Sequence, residues 1–303
     1  MRVQSAAEEL LIRGAASGLF PASWVLRLPD TETLPGRTGP LSLEIVSHCW
    51  QYGHLLAYQL SALVNFPPQR ATVRMTVFHS PEDLRTRAML DFFSTQHVPS
   101  VTWNWQPVDR GQLFRRAIGR NRIARTTTAD WVWFTDCDII FHRGCLDALV
   151  EQLEGRRDRL VYPREERVTA MLPESDALLA SPRSVPRLVD IDTSQFALLA
   201  VPRATGAYQI VHGDVARACG YCEQLPVFQR PAGRWAKTYE DRAFRWLMQT
   251  QGTPLEVPGV HRIRHVQKGR YGDNKGEALV RGNIRRVKAA LKDRWRAVLG
   301  GQP

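Results

Sequence analysis

Two aspartates separated by a single residue, Asp136 and Asp138, stand within an almost wholly apolar run at residues 131–141. The run is apolar at both odd and even positions, which predicts a central parallel strand covered on both faces. Because side chains alternate along a strand, we expect the two carboxylates to share one face. Neighbouring carboxylates repel each other, and a divalent cation is the usual remedy. The spacing therefore indicates a metal site at the strand's carboxyl end, where open α/β sheets bind ligands.

The elements that must position this site alternate between strand and helix from Leu41 onward. Apolar runs predict the strands, and apolar residues at steps of three and four predict the helices. The predicted strands are 41–47, 71–78, 101–107, 131–140 and one starting at 160, and the predicted helices are 52–64, 84–96, 111–127 and 144–153. Repeated βα units predict an α/β fold with a doubly wound, mainly parallel, Rossmann-like sheet.

The rest of the chain has weaker patterns. Residues 163–192 contain four prolines and are predicted to be a loop or lid, whereas 196–201 and 208–212 read as short strands and 241–250 as a helix. We predict an N-terminal arm at 1–40, a domain at 41–270 with a nucleotide-binding half (41–160) and an acceptor half (161–270), and a C-terminal amphipathic helix at 271–303.

The net charge of +11 is concentrated near the C-terminus. Residues 261–296 carry twelve Lys or Arg against three acids, a local excess of nine positive charges. Such a segment suits a polyanion, a nucleotide diphosphate or an anionic membrane surface. No apolar stretch is long enough for a transmembrane helix, and five cysteines, an odd number, favour reduced thiols. We therefore expect a cytoplasmic protein, with peripheral contact to the inner membrane surface through the basic helix.

In its ordered motifs the chain resembles the GT-A-fold glycosyltransferases, especially the inverting group called family 2. The resemblance covers about residues 41 to 265. It rests on a strand ending near Ser47, the Gly119-Arg120-Asn121 segment, the Asp-Cys-Asp motif at 136–138, the acid pair Glu240-Asp241 and a histidine after the last strand. It implies a metal-dependent enzyme that uses a nucleotide-sugar donor, most plausibly UDP-linked, and a glycan or lipid-linked acceptor in polysaccharide biosynthesis.

For the metal, the resemblance implies that Asp138 ligates Mn²⁺ or Mg²⁺, while Asp136 contacts the metal or the donor ribose. His265 is the implied third ligand, with His261 as the competing candidate. A hard cation suits oxygen ligands, and a diphosphate would supply further oxygens. The alternative for the two aspartates is a pair of acids capping a turn.

For catalysis, the resemblance places the general base at Asp241, with Glu240 orienting it or contacting the acceptor. Inversion requires a base that takes the proton of the acceptor hydroxyl, and the dipole of a helix N-terminus favours an anion there. Ordinary capping of the helix is the alternative. Trp235 and Trp246 flank the pair and either stack on a sugar face or pack in the core.

For the donor, the resemblance implies binding by Ser47 at the end of the first strand and by Arg120 on the basic helix. The family's aspartate after its second strand is replaced here by His79, with acids displaced to Glu82 and Asp83. We expect Asp83 to contact the nucleoside. Lys268 and Arg270, with Arg264, are expected to bind the diphosphate from a glycine-containing loop, the alternative being solvated surface charge.

Two other functions compete with glycosyl transfer. Sugar nucleotidylyltransferases have a similar sheet, but they open with a glycine-rich phosphate loop, and this chain has no glycine after its first strand until Gly53. A non-catalytic basic module that binds membrane or nucleic acid would explain the charge. Such a module would have no need of paired acids at strand and helix ends, and we do not expect nucleic acid to be a partner.

Overall fold

The computed structural model describes residues 12, 14, 16, 20–173, 175–180, 185–233 and 239–266. The strands in chain order are β1 (Leu41–Cys49), β2 (Ala71–His79), β3 (Val101–Pro107), β4 (Trp131–Phe134), β5 (Ile139–Phe141), β6 (Leu160–Pro163), β7 (Glu165–Val168), β8 (Ala197–Ala200), β9 (Gln209–His212), β10 (Thr253–Leu255) and β11 (Val260–Arg262). The helices are α1 (Gly53–Asn65), α2 (Leu84–Ser94), α3 (Arg110–Leu113), α4 (Arg116–Thr126), α5 (Cys145–Leu153), α6 (Ala177–Ala180), α7 (Gly213–Cys219) and α8 (Glu240–Leu247).

The central sheet has the strand order β10-β6-β9-β4-β1-β2-β3. All of its neighbouring pairs are parallel except those made by β9, which runs antiparallel to β4 and β6. The mainly parallel α/β sheet predicted from the sequence is thus confirmed. The chain builds outward from β1 through β2 to β3 and then returns to the other side of β1 with β4. The strand order reverses between β1 and β4, and this is the point at which such sheets bind ligands.

A second sheet, with the order β5-β11-β7-β8, was not predicted. It corrects the prediction of one strand over residues 131–140, because β4 ends at Phe134 and β5 belongs to the second sheet. Asp136 and Asp138 therefore lie in a turn between two sheets and not on one face of a strand. The physical cause is the pairing of β5 with β11, which draws the chain out of the central sheet as soon as β4 ends.

The second sheet also corrects the prediction of a loop at 163–192. Glu165–Val168 forms β7, which pairs with β8 and β11, and Ala177–Ala180 forms a short helix. Strands too short to show a clear alternation become ordered here by pairing with distant segments, which sequence periodicity does not detect. The sheet takes β5 from the first predicted half of the domain and its other strands from the second.

The predicted helix at 111–127 is two helices, α3 and α4, because Arg115 leaves the helical conformation with φ −108° and ψ 81°. The second of them packs closely on the ends of β1 and β2. A β-carbon at Gly119 would lie 2.5 Å from Nε2 of His48 and 2.9 Å from a ring carbon of Phe78. Glycine is therefore required at this position to bring the basic helix against the strand ends.

The core is centred on β4, in which all four residues are buried, as predicted for a strand covered on both faces. Its Trp133 donates a hydrogen bond from the indole nitrogen to the carbonyl oxygen of Ala207 at 3.0 Å, so its polar atom has a partner. All five cysteines are buried free thiols. The described part of the chain has no helix with the length and hydropathy to cross a bilayer. The predicted C-terminal helix at 271–303 lies outside the described residues.

Candidate functional site

The turn with the two aspartates is held by a side chain from α1. Gln59 is completely buried, and its amide nitrogen donates hydrogen bonds to the carbonyl oxygens of Asp136, at 3.0 Å, and of Ile139, at 2.9 Å. The start of the turn is also hydrogen-bonded to β1, since the backbone nitrogen of Thr135 donates to the carbonyl oxygen of Val46 at 3.0 Å. The structure therefore fixes the Asp-Cys-Asp turn where the strand order reverses, beside the end of β1.

Asp136 is held by arginines on α4. Its Oδ1 forms an ion pair and hydrogen bond with Nη1 of Arg116 and lies 3.7 Å from Nη2 of Arg120. The Asp136 side chain is 24% exposed and that of Arg116 is 27% exposed, so this pair faces the solvent at the sheet edge. Arg116 was not predicted, although its position one helical turn before Arg120 places both on one face of the helix.

Arg120 lies almost wholly inside the protein. Its guanidinium donates to the hydroxyl of Tyr221 at 2.8 Å, to the carbonyl oxygen of Gly206 at 2.8 Å and, at 3.3 Å, to that of Thr135. It also lies over the ring of Tyr221, with 5.3 Å between the guanidinium carbon and the ring centroid. These contacts make Arg120 a structural link between the aspartate turn and the segment at Gly206. Its predicted contact with the donor stays a prediction.

Asp138 is 3% exposed and faces the second sheet. Its carbonyl oxygen accepts a hydrogen bond from the backbone nitrogen of Ile263 at 3.0 Å, which ties the turn to the chain just after β11. His265 lies two residues further, buried, with its ring edge-on to that of Tyr52 at 5.3 Å between centroids. The structure thus brings the segment with His265 alongside the aspartate turn. His261 instead lies on β11, where its ring is edge-on to that of Phe196.

A buried charged cluster adjoins Asp138. The hydroxyl of Tyr208 donates to one oxygen of Glu166, and Nη2 of Arg262 donates to the other at 2.6 Å. Burial raises the pKa of Tyr208 well above its usual value, and the charges of Glu166 and Asp138 act in the same direction. Burial would lower the pKa of Arg262, but Tyr208, Glu166 and Asp138 raise it on balance. Arg262 therefore stays protonated near Asp138, with Glu166 as its ion-pair partner. Sequence periodicity gave no signal for it.

Within the described residues, no three His, Cys, Asp or Glu side chains form a ready-made metal cluster. Asp136, Asp138 and His265 therefore do not form a closed protein cage. Magnesium-type cations that bind with substrate phosphates take only one or two carboxylates from the protein, and phosphates and water complete their coordination. Two carboxylates at the edge of the sheet fit such an open site. The assignment of these three residues as metal ligands stays a prediction.

The second acid pair begins α8, as predicted. Glu240 is 3% exposed, with Oε1 at 4.0 Å from Nη1 of Arg115, whereas the Asp241 side chain is 36% exposed. Oδ2 of Asp241 accepts a hydrogen bond at 3.3 Å from Nη1 of Arg245, one turn further along the same helix. A β-carbon at Gly206 would lie 3.4 Å from Cβ of Asp241 and 3.9 Å from Nη1 of Arg120. Gly206 therefore separates Asp241 from the arginine that supports the aspartate turn.

The other residues predicted to contact the donor are either hydrogen-bonded within the protein or buried in it. Asp83 is the N-cap of α2, and its carboxylate accepts hydrogen bonds from the backbone nitrogen and hydroxyl of Thr86 and from the backbone nitrogen of Gln51. This capping satisfies both carboxylate oxygens. Ser47 is fully buried on β1, next to the reversal point. Nucleoside contacts by either residue stay predictions, and Lys268, Arg270 and Trp235 lie outside the described residues.

His48, at the end of β1, has both ring nitrogens covered and without a hydrogen-bond partner among the described residues. Its ring stacks on Phe78 at 4.9 Å between centroids. Burial lowers its pKa well below the ordinary value, Arg120 and Arg116 lower it further, and Asp136 opposes them. A neutral imidazole therefore lies beside the two arginines of α4, at the end of β1 next to Ser47.

Among solved structures, a mannosyltransferase from Pyrobaculum calidifontis in complex with GDP-Man and Mn²⁺ is 17% identical to this chain. The similarity covers 88% of this chain and 70% of that one, with a TM-score of 0.45. A similarity of this size carries no conclusion about the site or its ligands. No curated protein matches the sequence.

The family model described as Glycosyl transferase family 2 matches residues 84–174. The matched segment begins with α2, includes α4, β4 and the turn with Asp136 and Asp138, and ends beyond β7. It therefore contains Asp136 and Asp138, while Glu240 and Asp241 lie outside it. The match confirms the resemblance inferred from the sequence: this is a glycosyltransferase with a GT-A-type α/β fold, and it carries a family 2 segment at residues 84–174.

Proposed function

We propose that the protein transfers a sugar from a nucleotide-sugar donor to a hydroxyl acceptor, with inversion and with the help of Mn²⁺ or Mg²⁺. The observation that supports it best is the meeting of the two acid pairs through Arg120 and Gly206. Arg120 lies 3.7 Å from Asp136 and donates a hydrogen bond to the Gly206 carbonyl, and Asp241 lies next to Gly206. The carboxylates proposed for the donor and for the acceptor are thus connected through Arg120 and Gly206.

On the donor side, Asp136 and Asp138 would hold the cation, with His265 as the further candidate. When bound, the cation neutralises the charge that develops on the leaving nucleoside diphosphate. Arg116 is placed to bind the same diphosphate, because it already contacts a carboxylate at the solvent-facing edge. The donor that we propose is UDP-linked, following the family resemblance.

On the acceptor side, Asp241 would accept the proton of the attacking hydroxyl. Its position in the first turn of α8 favours the anionic form that a base requires. Arg245 holds the carboxylate in one orientation through the hydrogen bond to Oδ2. Glu240 is too buried to meet a large acceptor directly and instead supports the start of the helix near Arg115.

A thermal-shift screen of nucleoside diphosphates with and without Mn²⁺ tests this function. A ligand that binds only the folded state raises the melting temperature, by the equivalent of about 2.7 kcal/mol at one hundred times its Kd. We expect one diphosphate, UDP, to stabilise the protein only when Mn²⁺ is present. Asp138→Ala should abolish that stabilisation, whereas Asp91→Ala, an exposed acid on α2, should retain it.

If no nucleoside diphosphate, GDP included, stabilised the protein in a metal-dependent manner, the proposed donor site would be wrong. Stabilisation by GDP alone would keep the reaction class and replace the proposed nucleotide. The product's anomeric configuration, read by NMR after transfer, decides between inversion and retention.

A further inference from the structure

A cavity with a volume of about 790 Å³ lies beside α8. This volume is within the range of small-molecule sites. Residues one helical turn apart on α8 line it, together with the loop that follows β8. The lining includes Arg203, Arg242, Arg245, Trp246, Gln249 and Gln251.

Among the described residues, the lining contains three arginines and no acid. Arg245 is almost fully buried, and the described residues satisfy it, since it donates to the carbonyl oxygen of Ala204 at 2.8 Å and to Oε1 of Gln251 at 3.2 Å. Arg203 has no side-chain hydrogen bond to the described residues, and Arg242 uses only Nε, which donates to the carbonyl oxygen of Ala16 at 3.2 Å. Two guanidinium groups therefore present donors that an oxoanion can accept in pairs.

The cavity is connected to the proposed base. Arg245 lines the cavity and also donates to Asp241 at 3.3 Å, so one side chain contacts both. A molecule anchored in the cavity by a negative group could therefore place a neighbouring hydroxyl near Asp241. The donor-side arginine, Arg116, is on a different helix and contacts a different carboxylate.

Two exposed aromatic residues, Phe20 and Trp24, belong to a segment that contacts the cavity lining, and they are called the rim below. The indole nitrogen of Trp246 donates to the carbonyl oxygen of Phe20 at 2.9 Å, and the Gln249 amide donates to that of Leu26 at 3.3 Å, so the segment from 20 to 26 runs along the cavity. Within that segment Trp24 is 76% exposed and Phe20 is 51% exposed, with 6.2 Å between their ring centroids. Exposed aromatic rings beside clustered cations match a ligand that is apolar at one end and anionic at the other.

We propose that this cavity binds the acceptor, and that the acceptor carries a phosphate-type oxoanion next to an apolar chain. Arg203 and Arg242 bind the oxoanion, and Phe20 and Trp24 contact the apolar chain. The assignment to an acceptor rests on the proposed function. The binding of an anionic amphiphile in the cavity does not depend on it.

The test measures the binding of three probes to the full chain by calorimetry, without a nucleotide: hexyl phosphate, inorganic phosphate and hexanol. We expect hexyl phosphate to bind more tightly than inorganic phosphate, and hexanol not to bind. The double variant Arg203→Gln with Arg242→Gln should weaken both phosphates by about tenfold or more, because it removes charge-assisted hydrogen bonds. The exposed Arg85→Gln on α2 is the matched control and should leave both affinities unchanged.

A second variant tests the rim. Trp24→Ser should weaken hexyl phosphate by about threefold or more and leave inorganic phosphate unchanged, because it removes only apolar contact. Leu84→Ser, a change of an apolar side chain that is also exposed, serves as its control. Circular dichroism and melting temperature show that each variant is folded.

Unchanged affinity for hexyl phosphate in the double arginine variant would overturn the proposal, and so would loss of that affinity in Asp138→Asn, which would place the probe at the donor side. Unchanged affinity in Trp24→Ser would overturn the amphiphilic part. Failure of the donor screen with intact binding of hexyl phosphate would refute the proposed donor site and leave the binding of an anionic amphiphile in the cavity standing. A successful donor screen without binding of hexyl phosphate would refute only the assignment of the cavity.

Discussion

The two acid pairs of the candidate site are built alike but supported differently. In each pair one carboxylate is 3% exposed, Asp138 or Glu240, and its neighbour is partly open to solvent and contacts an arginine. The arginine on Asp136 comes from α4, twenty residues earlier in the chain, whereas the arginine on Asp241 comes from the same helix, four residues later. The first pair therefore depends on the packing of α4 against the sheet, and the second depends mainly on α8 itself.

This difference indicates which changes affect one pair alone. Changes in α8 should act locally on the acceptor side, because Arg245 and Asp241 move together. Changes in α4 should affect the donor side and also the connection between the pairs, since Arg120 on that helix contacts both Asp136 and the Gly206 carbonyl.

The largest expected effect follows from removing the proposed base. Asp241→Asn should lower kcat for sugar transfer by roughly 10²- to 10⁴-fold, the usual contribution of a general base. The affinity for the nucleoside diphosphate with Mn²⁺ should stay unchanged, because Asp241 lies on the acceptor side. Steady-state kinetics and calorimetry on the same preparation check both expectations. A parallel loss of nucleotide affinity would show that the two sides are not separable at this residue.

Removing the connection between the pairs should act on stability. Arg120→Met leaves the hydroxyl of Tyr221 and the carbonyl oxygens of Gly206 and Thr135 without a donor in a buried place. We expect the free energy of unfolding to fall by roughly 3 kcal/mol, measured by urea denaturation. Arg122→Met, an exposed change on the same helix, is the control. Equal and small losses in both variants would mean that Arg120 does not hold the two sides together.

A smaller effect separates the two arginines that contact the partly exposed acids, Arg116 and Arg245. Arg116→Gln should weaken the binding of the nucleoside diphosphate with Mn²⁺ by about tenfold, the loss of one charge-assisted contact. Arg245→Gln should leave that affinity unchanged and lower transfer instead. Calorimetric titration of both variants gives the answer, and identical nucleotide affinities in the two would refute the assignment of Arg116 to the donor.

The smallest effect concerns pH. The folded-state pKa of His48 is well below the 6.5 of an ordinary histidine, so below pH 6.5 the unfolded chain binds a proton that the folded protein does not. Stability from this group is complete above pH 6.5 and is lost as the pH falls below it. His48→Gln should therefore reduce the loss of unfolding free energy between pH 7.5 and 5.5, by up to roughly 1.4 kcal/mol per pH unit. The exposed His97→Gln should not, and an unchanged pH slope in His48→Gln would contradict the buried neutral imidazole.

The fold was predictable where local pattern and tertiary structure agree. The strand at 131–134 and the helices α1 and α5 follow apolar periodicity, whereas the turn with Asp136 and Asp138 was predicted as part of a strand. The strand β8 matches the short strand predicted at 196–201, but its sheet was not predictable, because β5, β7 and β11 are three or four residues long and are ordered by partners far away in the chain.

The candidate site shows the same division. Residue type and spacing identified Asp136, Asp138, Glu240 and Asp241 as candidate site residues, because acids at strand and helix ends can be recognised from the sequence alone. Arg116, Gln59 and the cluster of Glu166 with Arg262 were missed, because their roles depend on which distant atoms they meet. Asp83 illustrates an ambiguity of the sequence, since an acid beside a helix start is equally typical of a ligand and of a cap, and the structure shows the cap.

The central claim is that the turn at 136–138 binds a divalent cation together with a nucleoside diphosphate. Titration of Mn²⁺ followed by its electron paramagnetic resonance signal tests this directly, with and without UDP. The account predicts that the signal of free Mn²⁺ falls at one equivalent of protein only when the diphosphate is present, and that Asp138→Asn abolishes this fall while Asp91→Asn does not. Binding of Mn²⁺ and UDP by Asp138→Asn with the affinity of the unchanged protein would contradict it.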